Sequence, residues 1–151
     1  VAKDLREVAV KLRAFGMRTG YHNHHEEMLE VEGKTIWQWI ADNTPAEVIL
    51  QQDVGWTTYA GKNPIEFVRM YPGRTLLTHY KAKLPKGESG TPIIGKDRIQ
   101  WKPLYLSNRD LGGTQWLTVE QEEYPNGLSP FDSVKASLDN LRGLIAEVEA
   151  Q

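Results

Sequence analysis

The sequence predicts an α/β fold in which parallel strands alternate with helices, either as a (β/α) barrel or as an open doubly wound sheet. Three observations carry this reading. Four short apolar runs of strand type, each followed by a helical stripe, alternate strictly through the 151 residues. The stretches between them are long enough for the crossovers that parallel pairing requires. Each run ends at or beside a side chain that can bind a metal, and strand carboxyl ends are where the loops of parallel folds converge.

The first element is a helix over residues 2–15, with Leu5, Val8, Leu12 and Phe15 on one stripe and Gly16 as a left-handed cap. MRTGYH, residues 17–22, is short and followed by a polar cluster, so it reads as a strand entering a loop. Thr35 caps a helix over Ile36, Trp37, Trp39 and Ile40 that ends near Asn43, ahead of Pro45. VILQQD, residues 48–53, is the second strand. Asn63 and Pro64 start a helix that turns Ile65, Phe67 and Val68 inward until Pro72 and Gly73 stop it. RTLLTHY, residues 74–80, is the third strand.

The stretch from Lys81 to Gln100 is longer than a connection between packed elements needs, a length often found in functional lids. A helix from Trp101 closes at Gly112 and Gly113, and QWLTVE, residues 115–120, is the fourth strand. Ser129, Pro130 and Asp132 then combine an N-cap, a first-turn proline and an acid at the third position. They open a helix with Val134, Leu138, Leu141, Ile145 and Val148 inward. No low-complexity segment or linker divides the chain, which reads as one domain over residues 1–151.

Composition excludes several functions. A net charge of -2 with eighteen scattered basic residues offers no field for nucleic acid. No apolar run is long enough to span a membrane, and the opening VAKDLREVAV is too charged for a signal peptide, so the expected setting is soluble and cytoplasmic. The chain has no cysteine, so a metal site must be built from imidazole and carboxylate. Phosphate-cradling glycine loops and the GxSxG elbow are absent.

What remains is a constellation of ligand-type side chains. The four strands finish at or beside His22, Asp53, His79 and Glu120, one per strand–helix unit. Taken alone, a strand-end acid is as often a helix cap, and a lone histidine is more often structural. Recurrence at the same place in four successive units points instead to one shared site. Two imidazoles and two carboxylates suit a divalent ion such as Mn, Co, Zn or Mg. His24 alternates with His22 and faces the same side, whereas His25 reads as surface. Trp37, Trp39 and Trp101 lie on helical stripes and read as core. Trp56, in a loop three residues past Asp53, reads as a stacking surface for a sugar ring.

GYHNHHEE, QQDVGW, AGKNPIEFVRMYPGRTLLTHYKA, IGKDRIQW and TVEQEEYPNG with SPFDSVKASLDNLR, in that order, cover nearly the whole chain. Together they resemble the C-terminal half of sugar phosphate isomerase/epimerase proteins, in the xylose isomerase-like TIM-barrel superfamily. The resemblance implies four barrel strands whose ends hold a divalent metal through His22, Asp53, His79 and Glu120. It implies a metal-dependent isomerase or epimerase acting on a small sugar or keto-sugar through an enediolate. Glu120 would serve as ligand and base, Glu27 as second acid/base, Lys81 as support for the oxyanion, and His24 and Trp56 as contacts to hydroxyls and ring. Many relatives carry Glu where His22 stands, and Glu27 matches the Glu of the YHNH branch, so the resemblance allows either as first ligand. Lys96 replaces the acid of a GEG pattern, and Ala82 the Asp of HVKD. A sugar dehydratase or keto-glycoside lyase on the same site, or a noncatalytic carbohydrate-binding module, is the competing reading.

A closed barrel takes about 250 residues, whereas this chain supplies four strand–helix units. The expected fold class is therefore half a TIM barrel, with the two outer strand edges unpaired. Three forms satisfy it: a fragment lacking its N-terminal half, two copies completing a pseudo-barrel as a homodimer, or an open four-stranded sheet. The opening Val within a helix favours the fragment. Alone, such a chain is expected to bind metal weakly and turn over little.

Overall fold

The computed structural model describes residues 1–150. Helix α1 (Ala2–Arg13) leads into strand β1 (Gly20–His22). A short hairpin, β2 (Glu30–Val31) and β3 (Lys34–Thr35), precedes helix α2 (Ile36–Asp42). Strand β4 (Ile49–Gln51) is followed by α3 (Val54–Tyr59) and α4 (Pro64–Met70). Strand β5 (Leu77–Lys81) precedes the long irregular stretch and α5 (Trp101–Ser107). Strand β6 (Trp116–Glu120) is followed by α6 (Pro130–Glu149).

β1 and β4 pair in parallel, with Tyr21 opposite Leu50 and His22 opposite Gln51. β5 and β6 also pair in parallel, with His79 opposite Thr118 and Lys81 opposite Glu120. A parallel bridge between Asp53 and His79 joins the two pairs, and the His79 amide donates to the Gln52 carbonyl at 2.9 Å. The four strands lie side by side in chain order. Among the described residues no strand pairs with the outer edge of β1 or of β6.

Strand alternation sorts side chains between two faces. Tyr21, Leu50, Tyr80, Leu117 and Val119 point beneath the helices. There they join two apolar clusters, one built on Met28, Trp37, Ala41, Leu50 and Phe67, the other on Val54, Val68, Tyr80, Ile94, Trp101, Leu104 and Leu141. His22, His79 and Glu120 are the alternate residues and face the other way. The buried Arg74 guanidinium ties α2 to β4, donating to the Ala41 carbonyl at 2.7 Å, to the Val48 carbonyl and to Thr44 Oγ1.

The caps expected at Thr35, Asn63 and Ser129 are present, the first as a full capping box with Gln38. Several expectations are corrected. Strand β1 is shorter than 17–22, because its ladder with β4 begins at Gly20 opposite Ile49. Ala9, not Val8 or Phe15, is the buried residue of α1, and Phe15 is 75% exposed. Trp39 lies half in solvent, its ring beside Lys34 and its indole donating to the Val31 carbonyl at 2.9 Å. The hairpin leaves no pattern in the sequence, because its strands are two residues each. Its turn rests on Glu32 and Gly33, both at positive φ. Trp56 stands in helix α3, not in a loop. The stretch after β5 is packed rather than lid-like: Ile93 and Ile94 are buried, and Asn140 donates to the Ile94 carbonyl at 2.8 Å. Ser133, Ser137 and Leu141 form the buried stripe of α6. Val134 and Leu138 line an apolar groove of about 550 Å³ between α6 and β6, with Phe131 exposed at its rim.

Two predictions follow from packing and burial. A Cβ on Gly55 would meet the Lys81 carbonyl oxygen at 2.6 Å, which is backbone and cannot yield. Gly55→Ala is expected to cost about 1–3 kcal/mol in urea unfolding. Asp97 accepts from the Trp101 indole at 2.7 Å, and burial pushes its carboxyl up to about 7. The folded state then holds a proton that the unfolded chain releases above about pH 4, so stability falls as pH rises from about 4 to about 7. Asp97→Asn is expected to match the native melting temperature at pH 4 and exceed it at pH 8.

Candidate metal centre

The site begins with Asp53, whose side chain is fully buried. It is the N-cap of α3, and its Oδ1 accepts from the Trp56 amide at 2.8 Å. Its backbone is fixed by Asn23, equally buried, whose Oδ1 accepts from the Asp53 amide at 2.9 Å while Nδ2 reaches the Asp53 carbonyl and Thr57 Oγ1. Oδ2 is left without a hydrogen bond of good geometry. His22 Nε2 lies 3.8 Å from it, His79 Nδ1 4.0 Å, and the Lys81 ammonium forms an ion pair with it at 3.0 Å.

Ligand atoms of His22, Asp53 and His79 all lie within 4.8 Å of one another, a set that could hold a metal ion. The two imidazole rings are 4.5 Å apart, centre to centre. Glu120 stands beside this set rather than within it, with Oε2 2.5 Å from His79 Nδ1 and Oε1 3.1 Å from Lys81 Nζ. Glu122, two residues beyond β6, forms a third ion pair with the same ammonium at 3.0 Å.

Electrostatics agree with a cation site. Burial, helped by the facing His79, His24 and Lys81, lowers the His22 imidazole to about 4, so its nitrogen lone pair is free at neutral pH. Burial raises the Asp53 carboxyl above the usual range, outweighing the Trp56 amide and Lys81. Burial acts to raise Glu120 as well, but Lys81 and His79 overcome it and leave that carboxyl low. Burial works against the Lys81 ammonium, and Asp53, Glu122 and Glu120 more than restore it. Three carboxylates around one ammonium leave negative charge unmatched in a partly dry site, which is what a divalent ion would answer. The mixed nitrogen and oxygen donors suit Mn, Co or Zn better than Mg.

The aromatic wall is also here. The His24 ring is 5.7 Å from Trp56, with His25 at 5.3 Å and Tyr59 at 5.5 Å. Lys83 Nζ sits 4.1 Å over the indole and pairs with Glu123 at 2.8 Å. His25, read as plain surface, is thus part of the wall. Glu27 makes its contacts elsewhere. One oxygen accepts from Tyr21 Oη at 2.9 Å and the other from the His24 amide at 2.7 Å, on the helix-facing side where Tyr21 packs. Of the two possible first ligands, His22 is therefore the one brought to the cluster.

Asn23, Glu122 and Lys83 escaped the sequence reading. Asn23 carried a signal, lying between two histidines where a buried amide can reach the next strand; the other two sit in charged runs that look solvated.

No family model matches the chain. An inosose dehydratase of Lacticaseibacillus casei is 23% identical over 150 residues, covering 87% of this chain and 49% of that protein. Among solved structures, a sugar phosphate isomerase/epimerase from Parabacteroides distasonis superposes with a TM-score of 0.76 at 24% identity, over 91% of this chain and 49% of its own. A xylose isomerase domain protein from Alicyclobacillus acidocaldarius gives 0.66 at 20% identity, over 98% and 57%. An L-ribulose 3-epimerase gives 0.66 at 13% identity, over 99% and 55%. The chain has the α/β fold of these xylose isomerase-like proteins and spans about half the length of the curated relatives it matches. Among the described residues no helix is long and apolar enough to cross a membrane.

One prediction tests how the centre is held. Asn23→Ala strips the buried Asp53 amide of its acceptor and is expected to cost about 1–3 kcal/mol in urea unfolding. Thr57→Val removes the hydroxyl bond to the Asp53 carbonyl at 2.8 Å and the 3.4 Å contact with Asn23 but leaves the Asp53 amide its acceptor and the carbonyl the Thr57 amide, so it should cost less.

Proposed function

We propose that this chain is the C-terminal half of a metal-dependent isomerase or epimerase acting on a keto-sugar, with proton transfer through an enediolate. The observation that carries the reading is the meeting of His22, Asp53 and His79 at the strand carboxyl ends, with Glu120 oriented beside them. His22, Asp53 and His79 would hold a divalent ion, with Glu120 completing the set. Bound there, the ion supplies a Lewis acid that polarises a carbonyl and acidifies the adjoining C–H.

The chain's own residues do the rest. Glu120, kept ionised by Lys81 and His79, takes the proton from carbon and returns it to another carbon or to the other face. Lys81 supplies fixed positive charge near the oxygen that becomes negative. Trp56 offers its face to the apolar side of the sugar, and His24 beside it contacts a hydroxyl. Glu27 we assign to holding the His24 loop rather than to acid/base work. The free edges of β1 and β6 and the groove beside α6 would be covered by a second half barrel. The inosose dehydratase relative favours a second outcome at the same site, in which the enediolate expels a neighbouring oxygen instead of regaining a proton.

Calorimetric titration with Mn²⁺ or Co²⁺ is expected to show one site per chain, lost in Asp53→Ala and in His79→Ala. Proton exchange needs only the base and a polarised carbonyl, whereas full turnover also needs contacts from the rest of a barrel. In D₂O the metal-loaded chain should therefore wash deuterium into a ketose, at the carbon next to the carbonyl, faster than it forms product. Glu120→Gln should slow this by about 10²-fold or more. Metal bound with no wash-in above that of Glu120→Gln would make the chain a binding module instead.

A further inference from the structure

We infer that Lys81 is a tethered cation that holds the carboxylates of this centre together without metal and competes with a divalent ion for them, while Glu122 draws it aside. The inference rests on the metal reading above. Lys81 ends β5 two residues after His79, so alternation sends both side chains to one face. Its side chain is 2% exposed, with Nζ 3.0 Å from Asp53, 3.1 Å from Glu120 and 3.0 Å from Glu122. Two of these three carboxylates belong to the set that would bind metal. The third, Glu122, contacts Lys81 and, at 3.7 Å, Lys83.

A lysine that served only the substrate would have no reason to bridge two prospective ligands. Lys81 instead takes the charge position of a metal, as a monovalent ammonium on the Asp53 oxygen that has no good hydrogen bond. Lys83 is committed to Glu123 and to the Trp56 face. The three carboxylates around Lys81 thus exceed it by two charges, the charge of one divalent ion. When that ion arrives, two cations share Asp53 and Glu120 and repel each other. Glu122 and the indole of Trp56, 5.2 Å from Nζ, are the contacts that Lys81 retains. The consequence is a site assembled before metal arrives, at the expense of affinity for it.

The test measures Mn²⁺ affinity and metal-free stability together. Lys81→Met is expected to bind Mn²⁺ about tenfold or more tightly than the native chain, since repulsion between close cations survives even at an effective dielectric near 20. Without metal it should unfold at lower urea, with Asp53 buried and uncompensated. Glu122→Gln should weaken Mn²⁺ binding about fivefold, because Lys81 then stays on Asp53 and Glu120. Glu123→Gln, the same charge change on a carboxylate paired with Lys83, should stay within about twofold. In the Lys81→Met background, Glu122→Gln should have no further effect. Equal or weaker binding by Lys81→Met overturns the inference, as does equal weakening by the two glutamate variants. If Lys81→Met fails to fold, the glutamate pair decides alone. Absence of Mn²⁺ binding in the native chain and every variant sinks the metal reading and this inference with it, whereas native binding without the Lys81→Met gain sinks only the inference.

Discussion

A carboxylate with no access to solvent organises this molecule. Asp53 cannot remain ionised in a dry environment unless its neighbours supply donors and positive charge, and each nearby element contributes to that need. Helix α3 begins on it, with the Trp56 amide on one oxygen. Asn23 reaches from the β1 loop to hold its backbone. The strand pairs meet at its bridge to His79, and Lys81 brings the balancing charge from the end of β5. The parallel order of the strands is what places these contributions at one point, because strand ends that run the same way gather on the same rim.

The two faces of the sheet divide the work. Tyr21, Leu50, Tyr80 and Val119 bury apolar surface under the helices, where the hydrophobic effect supplies most of the stability. The alternate residues His22, His79 and Glu120 face the other way and carry the ionisable groups. A one-residue slip in any strand would exchange these sets, so the apolar packing also fixes the register of the polar site. Glycines enforce the closeness this requires. Gly20 lies against the Ile49 carbonyl and Gly55 against the Lys81 carbonyl, each too near for any side chain.

Legibility followed the length scale of the interaction. The alternation of strands and helices, the caps at Thr35, Asn63 and Ser129, and the ligand-type residues at four strand ends could all be read, because each depends on a local pattern or on one periodic rule. VGWTTY is short, β-branched and carries no stripe, so Trp56 reads as a loop residue; it is helical through the Asp53 cap and packing against β5. The buried face of α6 reads from the sequence toward Val134 and Leu138, because Ser133 and Ser137 look polar. Ser137 is nevertheless buried, donating to Gln121 and accepting from the Ile94 amide. The lysine and glutamate network around Lys81 was invisible for a related reason: charged residues in a run look solvated until the fold closes over them.

Four adjacent parallel strands separate two requirements that a closed barrel would meet together. Gathering charge for a cation needs only adjacent strand ends, and the four strands here bring His22, Asp53, His79, Glu120 and Lys81 within reach of one another without help. Enclosing a small molecule needs walls on all sides, and the described residues build one from Trp56, Tyr59, His24 and His25. Among the described residues the outer edges of β1 and β6 have no strand partner, and Phe131 and Trp116 meet solvent. In the proposed function, polarising a carbonyl and moving a proton would depend on residues of these four strands, while selecting one sugar over another would depend on further walls around the site.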